Sequence, residues 1–156
     1  MWIRKKEVAI EMPVKGELIP IEEVNDPIFS SKTMGEGFAV RPKNGEIFAP
    51  VSGKVISIFE TKHAIGIETK NGVSLLIHMG IDSVELKGVP FTLFVSEGRK
   101  IKQGSKIAEM DLAYFKEAGK SDEVVFVLTE KDQYKNFSID QYGDISMNEQ
   151  IGTIVI

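Results

Sequence analysis

The apolar residues of this sequence come in short runs rich in Val and Ile, each closed off by Gly, Pro, Asn or a Lys-Gly pair. Runs of that length and composition are strand-and-turn material rather than helical. The predicted strands are Gly16 to Ile21, Glu46 to Ala49, Lys54 to Phe59, Ala64 to Thr69, Val73 to His78, Phe91 to Val95, Lys106 to Met110, Val124 to Thr129 and Gly152 to Ile156. One short helix is expected, because the Asp111 carboxylate can cap Leu112 to Ala118 and Gly119 can end it. Prolines scattered between the runs suit a many-stranded fold. The fold class is therefore all-β, an antiparallel sandwich or barrel with a short connecting helix.

With 156 residues, 42% of them hydrophobic, the chain can build one domain with its own core, spanning residues 1–156, with residues 1–11 as a flexible lead-in. A net charge of −4 supplies no basic field, so nucleic acid is not an expected partner. No window approaches the roughly 18 consecutive apolar residues of a spanning helix, and the N-terminus lacks an apolar signal core, so a cytoplasmic location is expected. Without cysteines, chemistry must come from His, carboxylates or hydroxyls. The sequence holds two histidines, His63 and His78.

Lys70-Asn71-Gly72 lies between two strand runs, and Asn-Gly supplies the positive φ angles of a tight hairpin turn. His63 and His78 then fall on the two arms of one antiparallel hairpin, where pairing can bring their imidazoles together. His78 ends an apolar strand and is followed within two residues by Gly80. Such a glycine lets the backbone turn close to the ring, where a carbonyl can hold Nδ1–H and leave the Nε2 lone pair as a nucleophile. Taken alone, a histidine at a strand end is more often structural. A second imidazole beside it, His63, can hydrogen-bond a phosphoryl oxygen, and the Thr61 hydroxyl can orient His63 or touch the phosphoryl group.

The run Gly72-Val73-Ser74-Leu75-Leu76-Ile77-His78-Met79-Gly80-Ile81-Asp82-Ser83-Val84 resembles the signature of the glucose-class IIA family of the phosphoenolpyruvate-dependent sugar phosphotransferase system. Gly35 to Val40, Pro42, Ala49 to Gly53, Glu60 to Ala64 and Val84 to Gly88 are similar to further family blocks, in family order, so the likeness covers roughly residues 12–130. Ser83 stands where the family has threonine, which keeps the hydroxyl, and 131–148 fits poorly. The resemblance implies a fold of the duplicated hybrid motif type and a phosphocarrier. It implies that His78 takes a phosphoryl group from phosphorylated HPr on Nε2 and delivers it to a cysteine of the IIB domain of a sugar permease. It also implies that His63 is needed for onward transfer, and that the chain works as a monomer that meets the membrane only through the permease.

Docking of two partners in turn calls for an apolar rim, for which the resemblance points to Ile28, Phe29, Met34, Phe59, Leu76 and Val84, with Asp26 and Asp82 as carboxylates facing a basic HPr. Most such apolar residues in any domain are simply core. No cofactor is required, because phosphoryl transfer is mainly positioning and charge stabilisation. Zinc at the His63/His78 pair is expected only where a partner carboxylate bridges it. The rival readings are a zinc metallopeptidase, a biotinyl- or lipoyl-type carrier with Lys70 at its turn, and a purely regulatory binding module. The first wants a third protein ligand and a His-x-His pair where this chain has Gly80, and the second wants other neighbours than Thr69 and Asn71.

Overall fold

The structure, a computed structural model, describes residues 6–156. In chain order its elements are β1 (Glu7–Glu11), β2 (Val14–Pro20), α1 (Pro27–Ser30), β3 (Glu36–Phe48), β4 (Gly53–Ile58), β5 (Ala64–Glu68), β6 (Ser74–Met79), β7 (Phe91–Leu93), β8 (Lys100–Ile101), β9 (Lys106–Met110), α2 (Leu112–Ala118), β10 (Val124–Leu128), β11 (Asn136–Ile139), β12 (Gly143–Asp144) and β13 (Gln150–Val155). Every strand pairing among the described residues is antiparallel. The large sheet runs β12-β2-β3-β10-β6-β5-β4-β8, with β9 pairing both β3 and β7, and a small sheet runs β1-β13-β11.

Each predicted strand has its counterpart, and the differences have physical causes. β3 begins well before the predicted Glu46 and runs through Pro42. Pro42 lies opposite Gly16 where the β2 register shifts, and a bulge is where a strand interior tolerates a residue without an N–H. Of the lead-in expected to be flexible, Glu7–Glu11 is instead β1, held in register against β13 from Glu7↔Val155 to Glu11↔Gln150, while residues 1–5 lie outside the described residues. β8, β11 and β12 are too short or too polar to stand out as apolar runs. Helix α2 is as expected: the Asp111 side chain accepts from the Tyr114 N–H at 3.1 Å and Gly119 closes the helix at φ +69°.

Side chains alternate across β10, and both of its faces are covered. Val124, Phe126 and Leu128 enter the main core, where the Phe38 and Phe126 rings stack 4.8 Å apart. Val125 and Val127 face the other way, into a smaller cluster with Ile19, Ile21, Val24, Phe29, Ala39 and Ile81. The segment from the end of β2 through α1 therefore covers the outer face of the central strands, and it borders the histidine.

Phe126 is fully buried against Phe38. Phe126→Ala is expected to cost about 3–5 kcal/mol of stability by urea denaturation. A loss under about 1 kcal/mol would mean the stack is not central to the core.

Candidate functional site

The β5–β6 hairpin builds the site. Its register runs from Glu68↔Ser74 at the turn to Ala64↔His78 at the open end. The turn closes through the Gly72 N–H to the Thr69 carbonyl at 2.9 Å. Gly72 adopts φ +85° but Asn71 is not among the left-handed residues, so one glycine rather than the Asn-Gly pair supplies the positive φ. His63 stands one residue before β5, and its carbonyl accepts from the Met79 N–H at 2.8 Å. The two imidazoles lie 5.0 Å apart by ring centroid, inclined by 74°. The expected juxtaposition is therefore present.

His78 points away from the main core because Leu75, Ile77 and Met79 take the inward positions of β6. Its Nδ1 lies 2.7 Å from the Gly80 carbonyl oxygen. A carbonyl can only accept, so Nδ1 carries the proton and Nε2 keeps its lone pair. Gly80 reaches this position at φ +84°, and a Cβ there would sit 2.3 Å from Cε2 of Phe115 on α2. Only glycine allows both the turn and the close approach of the helix. Below it, the fully buried Ser83 donates its hydroxyl to the Met79 carbonyl at 2.6 Å.

His63 is 6% exposed, and its Nδ1 lies 2.5 Å from the Thr61 hydroxyl oxygen. The turn that brings Thr61 there is closed by the Lys62 N–H to the Phe59 carbonyl at 2.7 Å, with Lys62 at φ +60°. Phe29, His78, His63 and Phe59 form a succession of ring contacts, with centroid separations of 5.1, 5.0 and 5.2 Å.

Burial pushes both imidazoles below their ordinary value of about 6.5. For His78 burial outweighs the Gly80 carbonyl and the Asp26 and Asp82 carboxylates, which all favour a positive ring. For His63 the neighbouring His78 lowers it further. Both rings are accordingly neutral at pH 7.

Of the residues expected on the rim, Ile28, Met34, Phe59 and Val84 are exposed by 55, 37, 44 and 51%, and Leu76 is half-buried. Phe29, expected on the rim, is instead 5% exposed. The Asp26 carboxylate caps α1 by accepting from the Ile28 N–H at 2.8 Å, and that short helix turns Phe29 inward onto His78 while Ile28 stays out. Asp26 is half-buried and Asp82 exposed, the latter in the left-handed region at φ +54°. Phe115 and Glu123 were not legible as site neighbours, since both lie more than 30 residues along the chain in ordinary helix and strand contexts. No group of three or more His, Asp or Glu placed to hold a metal occurs among the described residues. The sequence's candidate donors, His63 and His78, would supply two ligands.

The family model described as the phosphoenolpyruvate-dependent sugar phosphotransferase system, EIIA 1, matches residues 8–134. The chain belongs to that family. This EIIA 1 domain is 42% identical over 139 residues to the PTS system glucose-specific EIICBA component of Streptococcus pneumoniae serotype 4, a match covering 89% of this chain and 19% of that protein. The chain thus spans about a fifth of that relative's length. It also superposes on the glucose permease IIA from Mycoplasma capricolum with a TM-score of 0.87 at 33% identity, covering 98% of this chain and 99% of that one. The structural likeness therefore extends past residue 134, where the family-model match stops, into the segment that fitted poorly by sequence. Membership makes the EIIA 1 domain a phosphocarrier component of the sugar phosphotransferase system, and a metallopeptidase reading gains no support. No helix among the described residues is long and apolar enough to cross a membrane.

A histidine that folds with a depressed pKa binds its proton later than the unfolded chain does, so stability falls as pH drops below about 6.5. Both ring titrations, followed by NMR, are expected to have midpoints below 6.5, and the denaturation midpoint is expected to decline from pH 7 to 5. A His78 midpoint above 6.5 would mean the carboxylates outweigh burial.

Proposed function

We propose that His78 is the phosphoryl acceptor of this EIIA domain and that His63 and Thr61 serve the transfer. The observation that carries the reading is the His78 Nδ1–H bond to Gly80, which leaves Nε2 unprotonated beside a second imidazole. In the transfer the Nε2 lone pair forms the new N–P bond as the donor's N–P bond breaks, and the donor imidazole keeps that electron pair and leaves neutral. His78 retains its Nδ1 proton and gains ring charge, which the Gly80 carbonyl and the carboxylates of Asp26 and Asp82 favour. With the Thr61 hydroxyl donating to Nδ1 of His63, the His63 proton sits on Nε2 and can donate to a phosphoryl oxygen.

The donor is proposed to be phosphorylated HPr, and the acceptor a cysteine of a permease IIB domain. Both relatives carry glucose in their names, which favours a permease of that class. Ile28, Met34, Phe59, Leu76 and Val84 would form the apolar docking rim, with Asp26 and Asp82 meeting basic side chains. Phe29 supports the ring from beneath. No resident metal is proposed: two imidazoles supply half of a tetrahedral zinc shell, so zinc there would need a partner's carboxylate.

With phosphoenolpyruvate, enzyme I and HPr, His78→Ala is expected to take up no acid-labile phosphate. His63→Gln is expected to be labelled, yet to pass the group to a IIB domain about a hundredfold more slowly. Labelling of His78→Ala at the parent level would overturn the assignment.

A further inference from the structure

Glu123 is 7% exposed, stands at the entrance to β10, and has no part in the chemistry described above. A carboxylate that deeply placed is costly unless its oxygens are used. Here they are divided among three neighbours. Oε2 accepts from Nε of Arg41 on β3 at 3.2 Å, and Oε1 accepts from the backbone N–H of Asn25 at 3.4 Å and from the Ser121 hydroxyl at 3.5 Å.

Two routes lead from Glu123 to His78. The segment carrying Glu123 holds the turn beneath the ring, since the Gly80 N–H donates to the Glu123 carbonyl at 2.9 Å and the Ile81 N–H to the Ser121 carbonyl at 3.0 Å. Gly80 in turn presents the carbonyl that takes the His78 Nδ1–H. On the other side, Asn25 precedes Asp26, the cap of the helix that sets Phe29 5.1 Å from the His78 ring. One carboxylate thus joins the backbone that fixes the His78 proton to the loop that places its aromatic neighbour. Arg41 ties both to the sheet. Glu17 and Glu23 also pair with Arg41, at 3.3 and 4.0 Å, but both from exposed side chains.

We propose that Glu123 is a positioning residue of the phosphoryl-transfer site, its two carboxylate oxygens locking the 24–26 loop and Arg41 to the strand end that holds the Gly80 carbonyl against His78. This rests on the reading of His78 as the acceptor for its effect on rate, but not for its effect on the ring. Glu123→Gln keeps the volume and turns one accepting oxygen into an NH2 group, so one of the two links must break.

The test uses the full chain with ring-15N-labelled histidine. In the parent, the His78 nitrogen shifts are expected to report a single Nδ1–H tautomer. Glu123→Gln is expected to give a mixture of tautomers and labelling by phosphorylated HPr about tenfold slower. Glu17→Gln is expected to match the parent in both. Arg41→Met severs the same link from a half-exposed side chain and serves where Glu123→Gln does not fold, with the same expected tautomer mixing. Parent-like tautomers in the variants overturn the proposal, including where labelling slows, because that slowing would then come from docking or stability. If the parent is never labelled but Glu123→Gln mixes the tautomers, the acceptor reading falls and the positioning role stands.

Discussion

The hydrogen bond from Nδ1 of His78 to the Gly80 carbonyl decides what this site can do. An imidazole has two nitrogens of similar basicity, and only an environment with a fixed acceptor makes one of them the nucleophile. The acceptor here is backbone, so its position is set by the fold rather than by a rotamer. Much of the surrounding structure serves that placement: β10 in register with β6 at Val125↔His78, the left-handed Gly80, and Phe115 packed where any side chain at residue 80 would stand.

Burial has a second consequence. It keeps both rings neutral at pH 7, which supplies a lone pair but disfavours a positive ring, the form His78 would take under the proposed phosphorylation. The carboxylates of Asp26 and Asp82 offset part of that penalty from a distance. Phe29, His78, His63 and Phe59 follow one another ring to ring, from the buried Phe29 to the exposed Phe59.

The fold and the juxtaposition of the two histidines were legible in the sequence because they depend on local signals. Short Val- and Ile-rich runs, the glycine after Lys70-Asn71 and the glycine after Met79 each act within a few residues, and the α2 cap does as well. What the sequence hid depends on long-range placement. β1 shows its role only through β13 at the far end of the chain, and β3 is masked by Pro42, which a bulge opposite Gly16 absorbs. Phe29 read as a rim residue in a turn-rich segment, whereas the one-turn helix capped by Asp26 rotates it inward. Glu123 carries no local mark at all, since its partners Asn25 and Arg41 are 98 and 82 residues away.

The central claim is that Nε2 of His78 is the atom that bonds to phosphorus. Phosphorylating the ring-15N-labelled chain and recording its nitrogen-phosphorus coupling tests this directly. The account predicts one phosphorus coupled to Nε2 of His78, with the proton still on Nδ1. Coupling to Nδ1, or to either nitrogen of His63, would contradict it.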